Sequence, residues 1–442
     1  MPDVETEDRA GQARLLDAAI RKASWRLLPF FCILYLINYI DRVNIGFGAL
    51  TMNRALGLSP VEYGVGAGLF FAGYVAFQVP SNLLLHEVGA RRWIGWSMVV
   101  WGVVSMAMSV IQGIPSYYSV RFLLGVAEAG FFPGVVYYLV QWFPDANRAR
   151  IISIFMVGQP ASSAIGGPIS TYILAHADGA LGLQGWQWLF VLEGLPAILF
   201  GLCCFWVMTD RPALAGWLHA DERTVLQRTV DRDRERAEGV RKYGVLDGLA
   251  NIRVVLLCLV FYLVVTSIYG SVFWVPQIVN TFGVSTVAVG FIVAIPYLAA
   301  SIISVLWSFH SDRTGERFWH VAIPAFTSGV GFLIAATWSG HPVVTVIGLS
   351  AACVGMYSVL PVFWTLPTSF LTGRAVAGAV AFITSFGNLS GIFTPPVVGW
   401  IRQTTGGFSA AMYGMACTCL AAGLLTFVCR SVHRGRAASV PA

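Results

Sequence analysis

Charge is what this 442-residue chain has least of: 11% of its residues are Asp, Glu, Lys or Arg, against roughly 25% in a soluble domain. So little polar surface excludes a soluble globular protein, and 57% hydrophobic residues exclude a disordered one. Lysine is nearly missing. Lys22 and Lys242 are the two among 28 basic residues, an arginine bias that fits a GC-rich bacterial genome. Cysteine pairs in polar loops are missing too, and there is no CxxC. Cys32, Cys203, Cys204, Cys258, Cys353, Cys417, Cys419 and Cys429 all lie in or beside apolar blocks. They read as small buried hydrophobes, so neither disulfides nor a metal site is expected. Residues 1–26 carry Asp3, Glu5, Glu7 and Asp8, which does not suit a cleaved signal peptide. No HExxH, no nucleophile beside a base and no His/Asp cluster occurs, which argues against an enzyme and against a resident cofactor.

What is present is apolar sequence in blocks of about 20 residues, long enough for a helix to cross about 30 Å of hydrocarbon. Short alternating strands of a membrane barrel are not the pattern. Twelve spans are expected: 27–50, 61–85, 93–112, 116–142, 149–175, 186–208, 253–280, 287–310, 320–338, 342–370, 376–401 and 408–429. The charges test that count. If both termini are cytoplasmic, the inner segments hold 24 of the 28 basic residues; Arg54 and Arg402 fall outside, Arg42 and Arg121 within spans. Such a bias fixes orientation by the positive-inside rule. It also accounts for the net charge of +6 without nucleic acid. A bacterial inner-membrane protein follows as the expectation.

One long polar segment, 209–252, cuts the chain in two and includes "DERTVLQRTVDRDRERAEG". Its near-balanced charges suit a solvated surface helix plus linker. The expected organisation is a tail over 1–26, a six-helix bundle over 27–208, the linker over 209–252, a second bundle over 253–429 and a tail over 430–442. The halves echo one another. "HEVGARRW" (His86–Trp93) and "DRTGERFW" (Asp312–Trp319) align at an offset of 226, sharing Gly89/Gly315, Arg91/Arg317 and the Trp. "GGPIS" (Gly166–Ser170) and "GIFTPPVVG" (Gly391–Gly399) align at nearly the same offset. The fold class is an all-α membrane protein of twelve transmembrane helices in two pseudo-symmetric six-helix bundles, an architecture that places a transport site between repeats.

Ionisable residues inside the spans are the exception to all this. Asp41 and Arg42 lie mid-span in "INYIDRVNIG", Arg121 and Glu128 sit two turns apart in "RFLLGVAEAGFFPG", and Glu193 lies nearer the outer end of span six. The second half has no acid within a span. An Asp41–Arg121 or Glu128–Arg42 pair could simply hold helices together. Yet a buried pair is a poor stabiliser, because desolvation offsets most of its Coulomb gain. Two acids and two arginines in one half better fit a site that handles an anion and a proton. Arginine holds a carboxylate through paired hydrogen bonds, and a carboxyl group in low dielectric can take and release a proton near neutral pH. Tyr39, Tyr74, Gln78, Gln159, Trp364, Thr365, Thr368, Thr384, Ser385 and Asn388 are candidate lining residues, with bonding between helices as the plainer alternative. His310 and His320 flank the second-half loop and read as structural or surface groups.

"NYIDR", "PSNLLLHEVGARRW", "RFLLGVAEAGFFPG", "GWQWLFVLEGLPA" and "TDRP", in this order, resemble the anion:cation symporter family of the major facilitator superfamily. "PVFWTLPTSFLTG" and "GNLSGIFTPPVVGW" are similar to its tartrate- and sugar-acid-transporter branch. The resemblance runs from about residue 25 to 430. It implies the major facilitator fold and proton-driven import of a small organic anion (a sugar acid, a tartrate-like diacid or an aromatic carboxylate) by alternating access. It implies proton-coupling roles for Asp41, Glu128 and Arg121, and substrate contacts at Arg42, Tyr39, Tyr74, Gln159, Trp364 and Asn388. The proton is the coupling ion, with no other cofactor, and a monomer in the bilayer is expected. Gly89, Arg91, Asp312, Arg313, Gly315 and Arg317 match the gating loops. In the first loop His86 and Glu87 replace the usual acid-then-base pair, which Asp312 and Arg313 keep. Proton-driven export of a metabolite or drug is the alternative, and the buried Arg42 argues against a cationic cargo. A non-transporting sensor would normally carry an added signalling domain.

Overall fold

The computed structural model describes residues 2–156, 158–239, 251–368, 371 and 374–437. Linker residues 240–250 and the last residues of the expected tail, 438–442, lie outside the described residues. The first half contains α1 (Pro2–Leu56), α2 (Pro60–Val88), α3 (Ala90–Ala107), α4 (Ile114–Glu128), α5 (Phe131–Trp142), α6 (Asp145–Met156), α7 (Gly158–His176) and α8 (Gly185–Val207). After the surface helix α9 (Ala220–Gly239) come α10 (Ile252–Asn280), α11 (Thr286–Thr314), α12 (Phe318–Thr337), α13 (Pro342–Phe363), α14 (Thr365–Thr368), α15 (Arg374–Thr405) and α16 (Ser409–Ala437). No strand occurs among the described residues.

Among the described residues, ten stretches are long and apolar enough to cross a membrane by length and composition. The other two crossings, α6–α7 and α15, are rich in Gly, Ser, Thr and Pro ("GQPASSAIGGPIST", "TSFGNLSGIFTPP"), which lowers their hydropathy. Those small residues let helices from opposite halves approach closely. The elements thus form a twelve-helix membrane fold in two halves. α1 differs from its expected span: the helix runs back through the polar tail to Pro2. The linker differs as well. α9 packs on α1, with Leu226 and Val230 buried and Lys22 Nζ 2.7 Å from Glu222 Oε1. The expected surface helix is there, and its balanced charges mask the apolar edge by which it docks.

The two repeated loops both turn at a glycine of positive φ, though with different ψ. Gly89 between α2 and α3 has φ 87°, and Gly315 between α11 and α12 has φ 68°, a region open to glycine at no steric cost. Arg317 donates to Asp312 (2.7 Å) and to Ser311 (2.9 Å), whereas Arg313 is exposed. In the first loop, where Glu87 is exposed, Arg91 turns instead to Asp210 of "TDRP". Its backbone N–H donates at 3.3 Å and its Nε lies 3.7 Å from the carboxylate.

The halves meet across α2–α15, α7–α11 and α1–α10, and the close approaches cluster at the end of the molecule opposite the chain termini. A Cβ on Gly46 would lie 2.8 Å from Val272 O, and one on Gly68 2.5 Å from Ile392 O. Gly64 faces the Pro395 carbonyl, and Gly290 faces Thr171 and Gly167. Tyr63 Oη donates to Phe273 O at 3.0 Å. That far end is shut by backbone-to-backbone packing that tolerates no side chain. Overpacking costs about 1–3 kcal/mol. Gly64→Leu is therefore expected to raise maleimide labelling of a cysteine at Val272, in a background without native cysteines, by about five- to a hundredfold. Unchanged labelling would contradict this closure.

Candidate functional site

Asp41 and Arg42 lie about 21 Å along α1 from Leu27, well inside the expected span. α1 is continuous there, so consecutive side chains fan out: Asn38, Asp41, Arg42 and Asn44 are all buried. Opposite them, α4 stops at Glu128 and α5 restarts at Phe131. Gly130 sits at the break because a Cβ there would collide with the Trp93 indole. Pro133 follows in the first turn of α5, where its missing N–H costs nothing. The break delivers the Glu128 carboxylate to Arg42.

Glu128 Oε2 accepts from Arg42 Nη2 (2.8 Å) and from Asn38 Nδ2 (3.0 Å). The guanidinium of Arg42 is caged by aromatic rings, with its Cζ 5.2 Å from Tyr39, 5.2 Å from Phe70 and 5.1 Å from Tyr74. Each such contact adds about 0.5–2 kcal/mol of attraction once desolvated. Asp41 is fully buried. Its Oδ1 accepts from Ser105 Oγ and, at 3.1 Å, from Asn44 Nδ2, while Oδ2 has no partner among the described residues. Arg121, also fully buried, places its Cζ 5.0 Å from the Phe70 ring that Arg42 also meets. None of its three guanidinium nitrogens has a hydrogen-bond partner among the described residues. Asp41, Glu128, Tyr63 and Tyr117 are its electrostatic neighbours.

The second half reaches the same place. Tyr269 of α10 lies within electrostatic reach of Arg42, Tyr39 and Tyr74. Its hydroxyl donates to Asn388 Oδ1 of α15 at 3.0 Å, and its ring sits 4.2 Å from Phe71 of α2. Among the expected site residues, Asp41, Arg42, Tyr39, Tyr74, Arg121 and Glu128 thus form one cluster, with Asn388 joined through Tyr269. Trp364 stands apart, at the break between α13 and α14, packed 4.9 Å from Phe261. Phe261 in turn touches Gly387, next to Asn388. Gln159 is partly exposed at the start of α7, beside Gly158, which closes on Tyr35. The side chain of Thr368 is not among those described. His310 Nδ1 and His320 Nε2 are 2.7 Å apart, at the α11–α12 loop and remote in sequence from the cluster. Ser105, Asn44 and Tyr269 were not assigned from sequence. A single Ser in an apolar helix carries no signal of its own, and a Tyr in a Phe- and Trp-rich span looks like packing.

Removing one partner of a buried ion pair strands the other, which costs about 3–5 kcal/mol. Glu128→Ala is expected to lower the thermal midpoint of the detergent-solubilised protein, and Glu128→Gln, which keeps hydrogen-bonding capacity, to lower it less. Equal midpoints for all three proteins would mean that Arg42 does not depend on Glu128.

Comparison with known proteins bears on what such a cluster does. The model of the Major Facilitator Superfamily matches residues 31–377 and 255–442. The chain is 45% identical over 409 residues to a protein of Agrobacterium vitis named "Putative tartrate transporter", covering 92% of this chain and 94% of that one. It is 39% identical over 410 residues to a "Quinolone resistance transporter" of Acinetobacter baumannii, covering 92% and 94%. Among solved structures, a bacterial homolog of the human lysosomal transporter Spinster, in an inward-facing and occupied conformation, superposes with a TM-score of 0.74. It is 17% identical and covers 92% of this chain and 96% of that one. The chain belongs to the Major Facilitator Superfamily: it is a multi-pass membrane transporter of a small molecule and not an enzyme.

Proposed function

We propose that the protein is a proton-coupled symporter that imports a small organic anion, with a tartrate-like dicarboxylate, a sugar acid or an aromatic carboxylate as cargo. The observation that carries this reading is the ion pair of Arg42 with Glu128 inside the aromatic cage. A cargo carboxylate can take the Nη2 donor of Arg42 only if Glu128 lets go, and Glu128 can let go at low cost only by taking a proton, because a stranded buried carboxylate is expensive. Competition for one guanidinium therefore links the two cargoes. Asp41, supported by Ser105 and Asn44, is read as a second proton carrier, and Arg121 as the fixed positive charge that both acids sense. Tyr39, Tyr74, Asn388, Gln159 and Trp364 are read as the walls that choose the acid. The 45% identical relative's name favours a tartrate-like cargo.

Positive-inside bias puts the terminus-bearing end in the cytoplasm of a bacterial inner membrane. The glycine-packed end then faces outward, and the structure corresponds to a carrier closed to the outside. With Glu128 deprotonated and back on Arg42, the pair is electrically neutral. A neutral pair lets the empty carrier reorient without moving a bare charge through the closed site. Proton antiport with export is the competing reading, favoured by the name of the 39% identical relative.

Proteoliposomes separate the two. With an inward proton gradient, labelled tartrate is expected to accumulate above its outside concentration, and a protonophore is expected to abolish the accumulation. Arg42→Lys, which loses the planar two-point contact worth about 1.5–3 kcal/mol, should reduce uptake by about tenfold or more. Asp41→Asn should abolish uphill uptake. Accumulation that ignores the gradient, or cargo that leaves against it, would overturn the reading.

A further inference from the structure

Among the described residues of the expected spans, one more buried acid lies outside the Arg42–Glu128 cluster and is not used by the cycle above. Glu193 sits about 12 Å into α8 from its far end and is 6% exposed. Ser170 of α7 donates to its Oε1 at 2.7 Å, while its Oε2 has no partner among the described residues. Asn44 of α1 is the link to the site. Its Nδ2 donates to Asp41 Oδ1, and the amide lies within electrostatic reach of Glu193. The two acids therefore flank one amide, Glu193 on the side of the closed end, and each keeps one oxygen unpartnered: Asp41 Oδ2 and Glu193 Oε2.

A structural reading of Glu193 would have it tie α7 to α8 through Ser170. One oxygen is enough for that tie. It leaves a buried carboxylate oxygen unsatisfied, which costs about 1–3 kcal/mol or more, where Gln would supply the same acceptor without a charge. α8 packs against α1, α3 and α7. Of the groups these helices present, Asp41 is the ionisable one that interacts with Glu193, and the other partners, Ser170 and Asn44, are neutral. Among the described residues no arginine meets the carboxylate, so the group that satisfies Oε2 is a proton.

We propose that Glu193 is a third proton-binding carboxyl of the transport cycle, placed between the far-side entrance and Asp41 to reload it. The inference rests on the proton-coupled reading. When the far end opens, a water molecule can bridge the two unpartnered oxygens. The O–H bond at Glu193 Oε2 breaks, one forms at Asp41 Oδ2 through that water, and Glu193 is left as a carboxylate held by Ser170. A proton from the outer solution then restores Glu193. No other reactant is needed.

The test uses the full-length protein in proteoliposomes, with labelled tartrate as probe and outer pH varied at constant membrane potential. Glu193→Gln is expected to slow uphill uptake by at least about tenfold, a modest share of what a positioned proton donor supplies, and to flatten its dependence on outer pH. Glu193→Asp, which keeps an acid, should restore a pH-dependent profile. Infrared difference spectra between acid and alkaline pH should lose one protonated-carboxyl band in Glu193→Gln. If that variant does not fold, Ser170→Ala serves. It keeps the acid but removes a donor, and is expected to displace the pH profile of uptake. Profiles and spectra that superpose on the wild type, in a protein whose Asp41→Asn variant has lost uphill uptake, overturn the role of Glu193 alone. Wild-type uptake that ignores a protonophore overturns the proton-coupled reading, and this inference with it.

Discussion

The hydrogen-bonded ion pair between Arg42 and Glu128 is the constraint around which the site is built. Two opposite charges in the middle of a membrane protein are costly to desolvate and gain little net stability from each other. They persist here with supporting contacts on both sides: Asn38 shares the carboxylate oxygen, and Tyr39, Phe70 and Tyr74 surround the guanidinium. The break between α4 and α5 exists at the position where it brings Glu128 to α1. The aromatic cage has another consequence. It leaves the cation attractive to a planar anion while giving it no second fixed carboxylate among the described residues, since Asp41 is occupied by Ser105 and Asn44.

Alternating access needs the two halves to hold together at one end and to part there in the next step. Backbone contacts through glycine serve both ends. They give dense packing when closed, and they carry few side-chain hydrogen bonds that must be broken on opening. Gly46, Gly64, Gly68, Gly290 and Gly399 supply this surface from both halves, with Tyr63 bonded to the Phe273 carbonyl across it. At the other end the loops carry their own ion pairs, Arg91 with Asp210 and Arg317 with Asp312. The first of these explains how a loop that lacks the usual acid can still anchor its arginine: the partner is supplied by the end of α8.

Much of this was legible in the chain. Apolar blocks, the distribution of arginine and the repeated loops carried the architecture, because hydropathy and charge act locally and leave periodic marks. Asp41, Arg42, Arg121 and Glu128 stood out because a charge in an apolar run has no ordinary explanation. Contacts between distant helices left no such mark. Nothing near Ser105 says that it faces Asp41, and nothing near Tyr269 says that it meets Asn388. Leu226 and Val230 were lost among the charges of α9, which hid its docking on α1. Trp364 is marked by its motif as lining, but nothing in that motif shows that its ring packs against Phe261.

The claim at the centre is that cargo and Glu128 compete for Arg42, so that binding the anion obliges the protein to take up a proton. Binding of tartrate to the detergent-solubilised protein in weakly buffered solution, followed with a pH indicator, measures this directly. The account predicts alkalinisation of the medium on binding, abolished in Glu128→Gln. Binding that leaves the pH unchanged, or that acidifies the medium, would contradict it.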